Sequence, residues 1–178
     1  MQIYESNSGQ KFTILARDGK QCIIQFVETG SIRRANMDNI YAGKVRDMYA
    51  VSTYGVGYDG DFEKVPYWKQ AKQLWRNMMK RCYCEKDLRG YFGRATVAPD
   101  WHCFANFLRD LPKLKNFDKW LQGQTHNHTK YNLDKDLIIP GCTTYSKDTC
   151  QFITESENKA AGAANGKPYS KNPKVIKG

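Results

Sequence analysis

The stretch that most constrains this chain begins at Pro66. From Tyr67 to about Tyr83, Trp68, Ala71, Leu74, Trp75, Met78, Met79 and Cys82 recur at helical spacing and fill one arc of a helix. Pro66 suits the first turn, where a missing N–H has no partner to lose. An arc of two tryptophans, two methionines and a leucine must be covered, so the chain is expected to build a packed core around it. Lys69, Lys72, Arg76 and Lys80 fall on an adjoining arc, and no acid occurs between Glu63 and Glu85. Like charges three and four residues apart repel by about 0.2–0.5 kcal/mol per pair. A solvated face usually intersperses acids, so these four cations are expected to face phosphates, with an indifferent surface as the alternative.

The rest of the composition agrees. Phe, Trp and Tyr number 8, 4 and 11, enough ring area for a core, which excludes wholesale disorder. The formal net charge is +10; residues 61–130 carry +7 of it, against +1 for residues 1–60 and +2 for residues 131–178. A field concentrated in this way attracts a polyanion. DNA is the expected partner, RNA the alternative polymer, and no membrane association is expected. No apolar run reaches the roughly 20 residues that span a bilayer. The polar start from Met1 to Gln10 lacks a signal-peptide core, so a cytoplasmic location with reduced cysteines is expected.

The first third reads as a small β-module. Phe12, Ile14 and Ala16 alternate with polar residues, Cys22 to Val27 forms a more fully buried run, and Ser31 to Ala35 makes a further strand. Asp18-Gly19 and Thr29-Gly30 mark the turns, and Met37 to Gly43 a single helical turn. Short strands with tight turns suggest an SH3-like barrel over residues 1–52. Gly55, Gly57 and Gly60 make residues 53–65 a linker; no Gly-Lys-Ser/Thr follows that would make them a phosphate loop. Arg89 and Arg94 flank a turn and a short strand. Asp100 opens a helix with Trp101, Phe104, Phe107, Leu108 and Leu111 on its buried side, and Pro112 ends it.

Residues 131–164 read as strand, loop, strand, helix. Tyr131 to Ile139 alternates as a strand, Cys150 to Ile153 returns, and Thr154-Glu155-Ser156-Glu157 is a capping box. On a strand, Asp134 and Asp136 point to the same face, with Asn158 on the helix opposite. Such hard oxygen donors suit Mg²⁺ or Mn²⁺; ordinary surface charges are the alternative. Cys82, Cys84, Cys142 and Cys150 lack a Cys-x-x-Cys spacing, so no zinc is expected and buried thiols are the default. Residues 165–178 read as a flexible basic tail.

The run Trp75-Arg76-Asn77-Met78-Met79-Lys80-Arg81-Cys82-Tyr83, with Tyr91 to Val97, Trp101, Phe104-Ala105-Asn106-Phe107, Leu133-Asp134-Lys135-Asp136, Tyr145 to Cys150 and Glu157-Asn158, resembles phage HNH homing-endonuclease-like proteins. The likeness covers about residues 67–160, and residues 9–60 resemble the small module often attached to such proteins. It implies an α+β chain: an SH3-like module followed by a ββα-metal (His–metal-finger) domain over residues 66–164. That domain would grip DNA and nick it with one divalent ion in a bacterial host cell.

Carried over, Asp134 and Asn158 become metal ligands, and Lys135, Asp136 and His128 the catalytic candidates. Lys69, Lys72, Arg76, Lys80, Arg89 and Arg94 become the phosphate contacts. Two positions depart from the family pattern. Lys135 stands where a general-base histidine is expected, and a lysine ammonium ordinarily keeps its proton near neutral pH. Thr149 stands in place of the asparagine that steadies the loop. His126 or His128 would have to supply the base. The departures favour the alternative expectation: a catalytically inactive factor that binds nucleic acid or a ribonucleoprotein and acts on a host machine. An adaptor working through the β-module is a third.

Overall fold

The computed structural model describes residues 2–87, 92–123 and 130–164. It is a mixed α+β chain with two hydrophobic cores. Four antiparallel strands, β1 (Ile3–Glu5), β2 (Lys11–Asp18), β3 (Gln21–Phe26) and β4 (Ile32–Asn36), pair in chain order as a meander. They form an open sheet, with β1 and β4 as its edges, and not the closed SH3-like barrel expected from their lengths. The short helix α1 (Met37–Tyr41) is capped by Asn36, whose side chain accepts from the Asp38 N–H. It closes one face, so Phe12, Cys22, Ile24, Phe26, Met37, Ile40 and Val45 are buried together.

Two local expectations change here. The Cys22–Val27 run is not fully buried: it alternates, leaving Ile23 39 % and Val27 52 % exposed, because a single sheet has one covered face. The register jumps from Ile14↔Ile24 to Ala16↔Ile23, so Leu15 is a bulge residue turned outward. Strand β1, in a segment too polar to read as a strand, gains its place by pairing Tyr4 with Phe12, whose rings stack.

The second core is built on α2 (Trp68–Tyr83), which starts within one residue of the expected position. Ala71, Trp75, Met78, Met79 and Cys82 are buried on it. They meet Trp101, which lies in a 3₁₀ turn (Pro99–His102), and Phe104, Phe107 and Leu108 of α3 (Phe104–Asp110). Two indoles hold this packing in polar register. Trp75 Nε1 donates to the Trp101 carbonyl at 2.7 Å, and Trp101 Nε1 donates to Asp110 Oδ2 at 3.2 Å. The expected helix from Asp100 is thus two pieces, with Cys103 in extended backbone between them.

Strand β5 (Thr96–Val97) pairs in parallel with β7 (Thr144–Tyr145), and β6 (Tyr131–Asp134) pairs antiparallel with β8 (Gln151–Thr154). Helix α4 (Phe117–Gly123) packs on that hairpin, where Trp120 stacks on Phe152 with ring centroids 5.1 Å apart. Helix α5 (Glu155–Ala164) follows β8 directly. The capping box at its start is formed: the Thr154 N–H donates to Glu157 Oε2 at 2.7 Å, and the Glu157 N–H donates to Thr154 Oγ1 at 3.2 Å. Strand β6 stops at Asp134 and does not reach Ile139. The Asp134 carboxylate accepts the N–H groups of Asp136 and Leu137 and so turns the chain.

The glycine-containing connector, expected as a linker over residues 53–65, is packed. Tyr58 bridges in parallel to Cys103, and Asp59 and Gly60 are buried. Two buried acids, one ahead of it and one within it, tie it down. Asp47 accepts from the hydroxyls of Thr29 and Ser31 on the first unit. Asp59 is held by Arg46 at 3.2 Å and by Lys72 of α2.

Candidate nucleic-acid interface

At about 1.5 Å and 100° per residue, Lys69, Gln73, Arg76 and Lys80 form a line roughly 16 Å long within an arc of about 60°. These four are the exposed residues of α2. Among the described residues, neither Lys69, Arg76 nor Lys80 meets a carboxylate. Three of the four expected cations therefore lie in one row without a carboxylate partner among the described residues, Lys69 resting 5.9 Å from the centroid of the Trp68 ring.

The fourth does not. Lys72 turns inward: its ammonium is hydrogen-bonded to Asp59 and lies 4.3 Å and 4.2 Å from the ring centroids of Trp75 and Phe104. Burial pushes this ammonium below its ordinary pKa, and the Asp59 hydrogen bond offsets that in part. Lys72 is a strut between connector and helix, and its expected phosphate contact is corrected accordingly. Arg94 is exposed just ahead of β5, which packs on α2. Arg89 lies outside the described residues, as do His126, His128 and the 165–178 tail.

Beside the cationic row runs a groove of about 420 Å³, lined by Lys69, Gln70, Gln73, Leu74, Asn77 and Trp120. Besides Lys69 and the Trp120 indole, its polar groups are the amides of Gln70, Gln73 and Asn77. Gln73 Nε2 donates to Asn77 Oδ1 at 2.9 Å. Gln70 Oε1 is buried with no hydrogen-bond partner among the described residues, a defect that ordinarily costs about 1–3 kcal/mol. Charge and hydropathy did not single these amides out. The signal that finds them is their interval from Lys69 along α2, since Gln73 and Asn77 follow it at four-residue steps.

The carboxylates read as metal ligands sit differently. Asp134 is 7 % exposed and spends Oδ2 on two backbone N–H groups. Asp136 lies in the turn beyond the strand, so the two acids do not share a strand face. Lys135 is 4 % exposed; its ammonium bonds Asp136 and the Cys142 carbonyl, the latter at 2.8 Å, and closes the loop. Asn158 is exposed on α5, which starts beyond the Tyr131↔Thr154 end of the hairpin, whereas Asp134 pairs with Gln151 at the other end.

A divalent ion does not fit these residues as they are placed. One carboxylate is engaged by backbone donors, and the other is neutralised by an adjacent ammonium. Among the described residues, no group of three or more His, Cys, Asp or Glu side chains is placed to hold a metal.

Thr149 does pin its loop. Its hydroxyl donates to the Thr144 carbonyl at 2.7 Å and accepts from the Ser146 N–H at 3.0 Å. Burial pushes the Cys82 thiol up to about 11 and the Cys150 thiol up to about 12, so both stay protonated near neutral pH and serve as packing. His102, unremarked in sequence, meets the Tyr83 hydroxyl through Nε2 at 3.0 Å and orients that ring against β5.

No described helix is long and apolar enough to cross a membrane. Comparison of the chain with protein-family models, curated proteins and solved structures returned no match.

Proposed function

We propose that this protein binds nucleic acid through the exposed face of α2, without cutting it. The observation that carries this reading is the row Lys69, Arg76 and Lys80, three cations on one helix face with no acid beside them. Such an arrangement is unfavourable for the isolated chain and is offset when phosphates neutralise it. The buried state of Lys135 and the engagement of Asp134 in a turn support the binding reading over phosphodiester hydrolysis. The resemblance to HNH-type proteins then concerns the ββα order of β6, β8 and α5 and the grip on DNA, with DNA the leading polymer and RNA the second.

The test is fluorescence anisotropy with labelled DNA and RNA at several salt concentrations. Replacing Lys69, Arg76 and Lys80 together by Ala should weaken binding to all sequences alike. It should also lower the slope of log K against log salt by about 2–3, since each lost contact removes about 0.7–0.9 of a counterion. Unchanged affinity in the triple variant overturns the assigned face. Nicking of supercoiled plasmid in Mn²⁺ that disappears in Asp134→Ala overturns the absence of chemistry.

A further inference from the structure

The groove beside the cationic row has a composition that phosphate attraction alone does not require. Phosphate contact calls for cations, which the row supplies; beyond Lys69, the groove is lined by three amides, Leu74 and Trp120. We infer that this groove receives one unpaired base whose pairing edge sets an exocyclic amine beside an unprotonated ring nitrogen, adenine or cytosine, from a single strand whose phosphates follow Lys69, Arg76 and Lys80. The inference rests on the nucleic-acid reading above and specifies its ligand.

Three observations converge on that ligand. First, the groove and the row share Lys69 and Gln73, so a strand laid along the row has its bases beside the opening. Second, the Gln73–Asn77 hydrogen bond uses one donor and one acceptor. That leaves Gln73 Oε1 as an acceptor and Asn77 Nδ2 as a donor, with no partner among the described residues. One free acceptor and one free donor on hydrogen-bonded amides can answer an amine and a ring nitrogen of the same base, the groups amides pair with on adenine. Third, Gln70 Oε1 is an acceptor with no donor, and the second hydrogen of an exocyclic amine supplies one once the amide turns toward the groove. Thymine and uracil carry no such amine. A duplex keeps its bases stacked and paired, so a concave site beside the helix favours a strand that is already open.

The experiment compares three single strands of about twelve nucleotides, all-adenine, all-thymine and abasic, against the intact protein and the Gln73→Leu/Asn77→Leu variant. The wild type should bind the adenine strand about tenfold more tightly than the thymine strand, and the abasic strand no better than thymine. The double variant should lose that preference while keeping its salt slope, because the cations are untouched. Equal binding of all three strands by the wild type, or a preference that survives in the variant, overturns the inference and leaves the phosphate reading standing. Failure of every strand and of a DNA duplex to bind, or binding indifferent to the Lys69, Arg76 and Lys80 replacement, instead overturns the reading on which it rests.

Discussion

Glu157 shows how one side chain sets a local boundary. Its carboxylate accepts the Thr154 N–H, and hydrogen bonds from the backbone and hydroxyl of Thr154 hold it below the ordinary glutamate pKa. A carboxyl with a depressed folded pKa contributes stability above its unfolded pKa, near 4.3, and loses that contribution as pH falls through the folded value. Helicity of α5 in the wild type should therefore exceed that of Glu157→Gln near pH 6 and converge with it near pH 3. Circular dichroism of the two proteins across that range checks it. Asp110 runs in the same direction for a different reason. Burial pulls its carboxyl up, but hydrogen bonds from Lys113 and the Trp101 indole, with the Arg109 charge, outweigh burial and leave it low. Both effects act in acid, so each contribution is lost as pH falls below the unfolded carboxyl values near 4.

At the scale of elements, α2 serves two surfaces at once. Its apolar arc is buried against the 3₁₀ turn and α3, and the arc farthest from that core carries the cations. The connector is fitted to the same helix by small residues. A Cβ at Gly57 would sit 2.9 Å from the Trp75 ring. At Gly60, where φ is +65°, a Cβ would come within 2.5 Å of Cys103 Sγ and 3.0 Å of Ala105 Cβ. Gly60→Ala combines left-handed backbone strain with overpacking, so it should cost about 2–4 kcal/mol, measured by urea denaturation. Gly55, also at positive φ but with nothing within 4 Å of its Cβ, is the control: Gly55→Ala should cost less, from backbone alone.

For the molecule as a whole, the first core is small: four buried apolar residues from the sheet (Phe12, Cys22, Ile24 and Phe26) meet Met37 and Ile40 of α1 and Val45. A core of that size gains from being fixed to the larger one. Asp59 supplies part of that docking, since Arg46 and Lys72 meet on its two oxygens. Removing it leaves the half-buried Lys72 ammonium against two rings without a counter-charge. Asp59→Ala should destabilise the protein by about 3 kcal/mol and raise amide exchange in β2 and β3. Lys72→Met should cost less, because it keeps the packing stem and Arg46 still answers Asp59. Exchange in the first sheet that is unmoved by Asp59→Ala would show that the ion pair does not couple the two units.

Much of this is legible in the residues because it depends on short-range periodicity. The α2 stripe, the α1 turn, the Thr154–Glu157 box and the order of β6, β8 and α5 each follow from spacing within one or two turns. What depends on distant partners was out of reach. Lys72 and Lys69 are the same residue type on one helix, yet the first is drawn in by Asp59, thirteen positions earlier in the chain, and the second stays in water. Alternation that continues past Asp134 predicts a strand face for Asp136, whereas the two backbone N–H groups that Asp134 accepts end the strand. The sequence determined which helix face is apolar and that the surplus charge lies near it, since local pattern and composition carry that information. Only tertiary packing decided which cations remain exposed, that the sheet stays open, and that a groove of amides lies beside the row, because each depends on contacts between segments far apart in the chain.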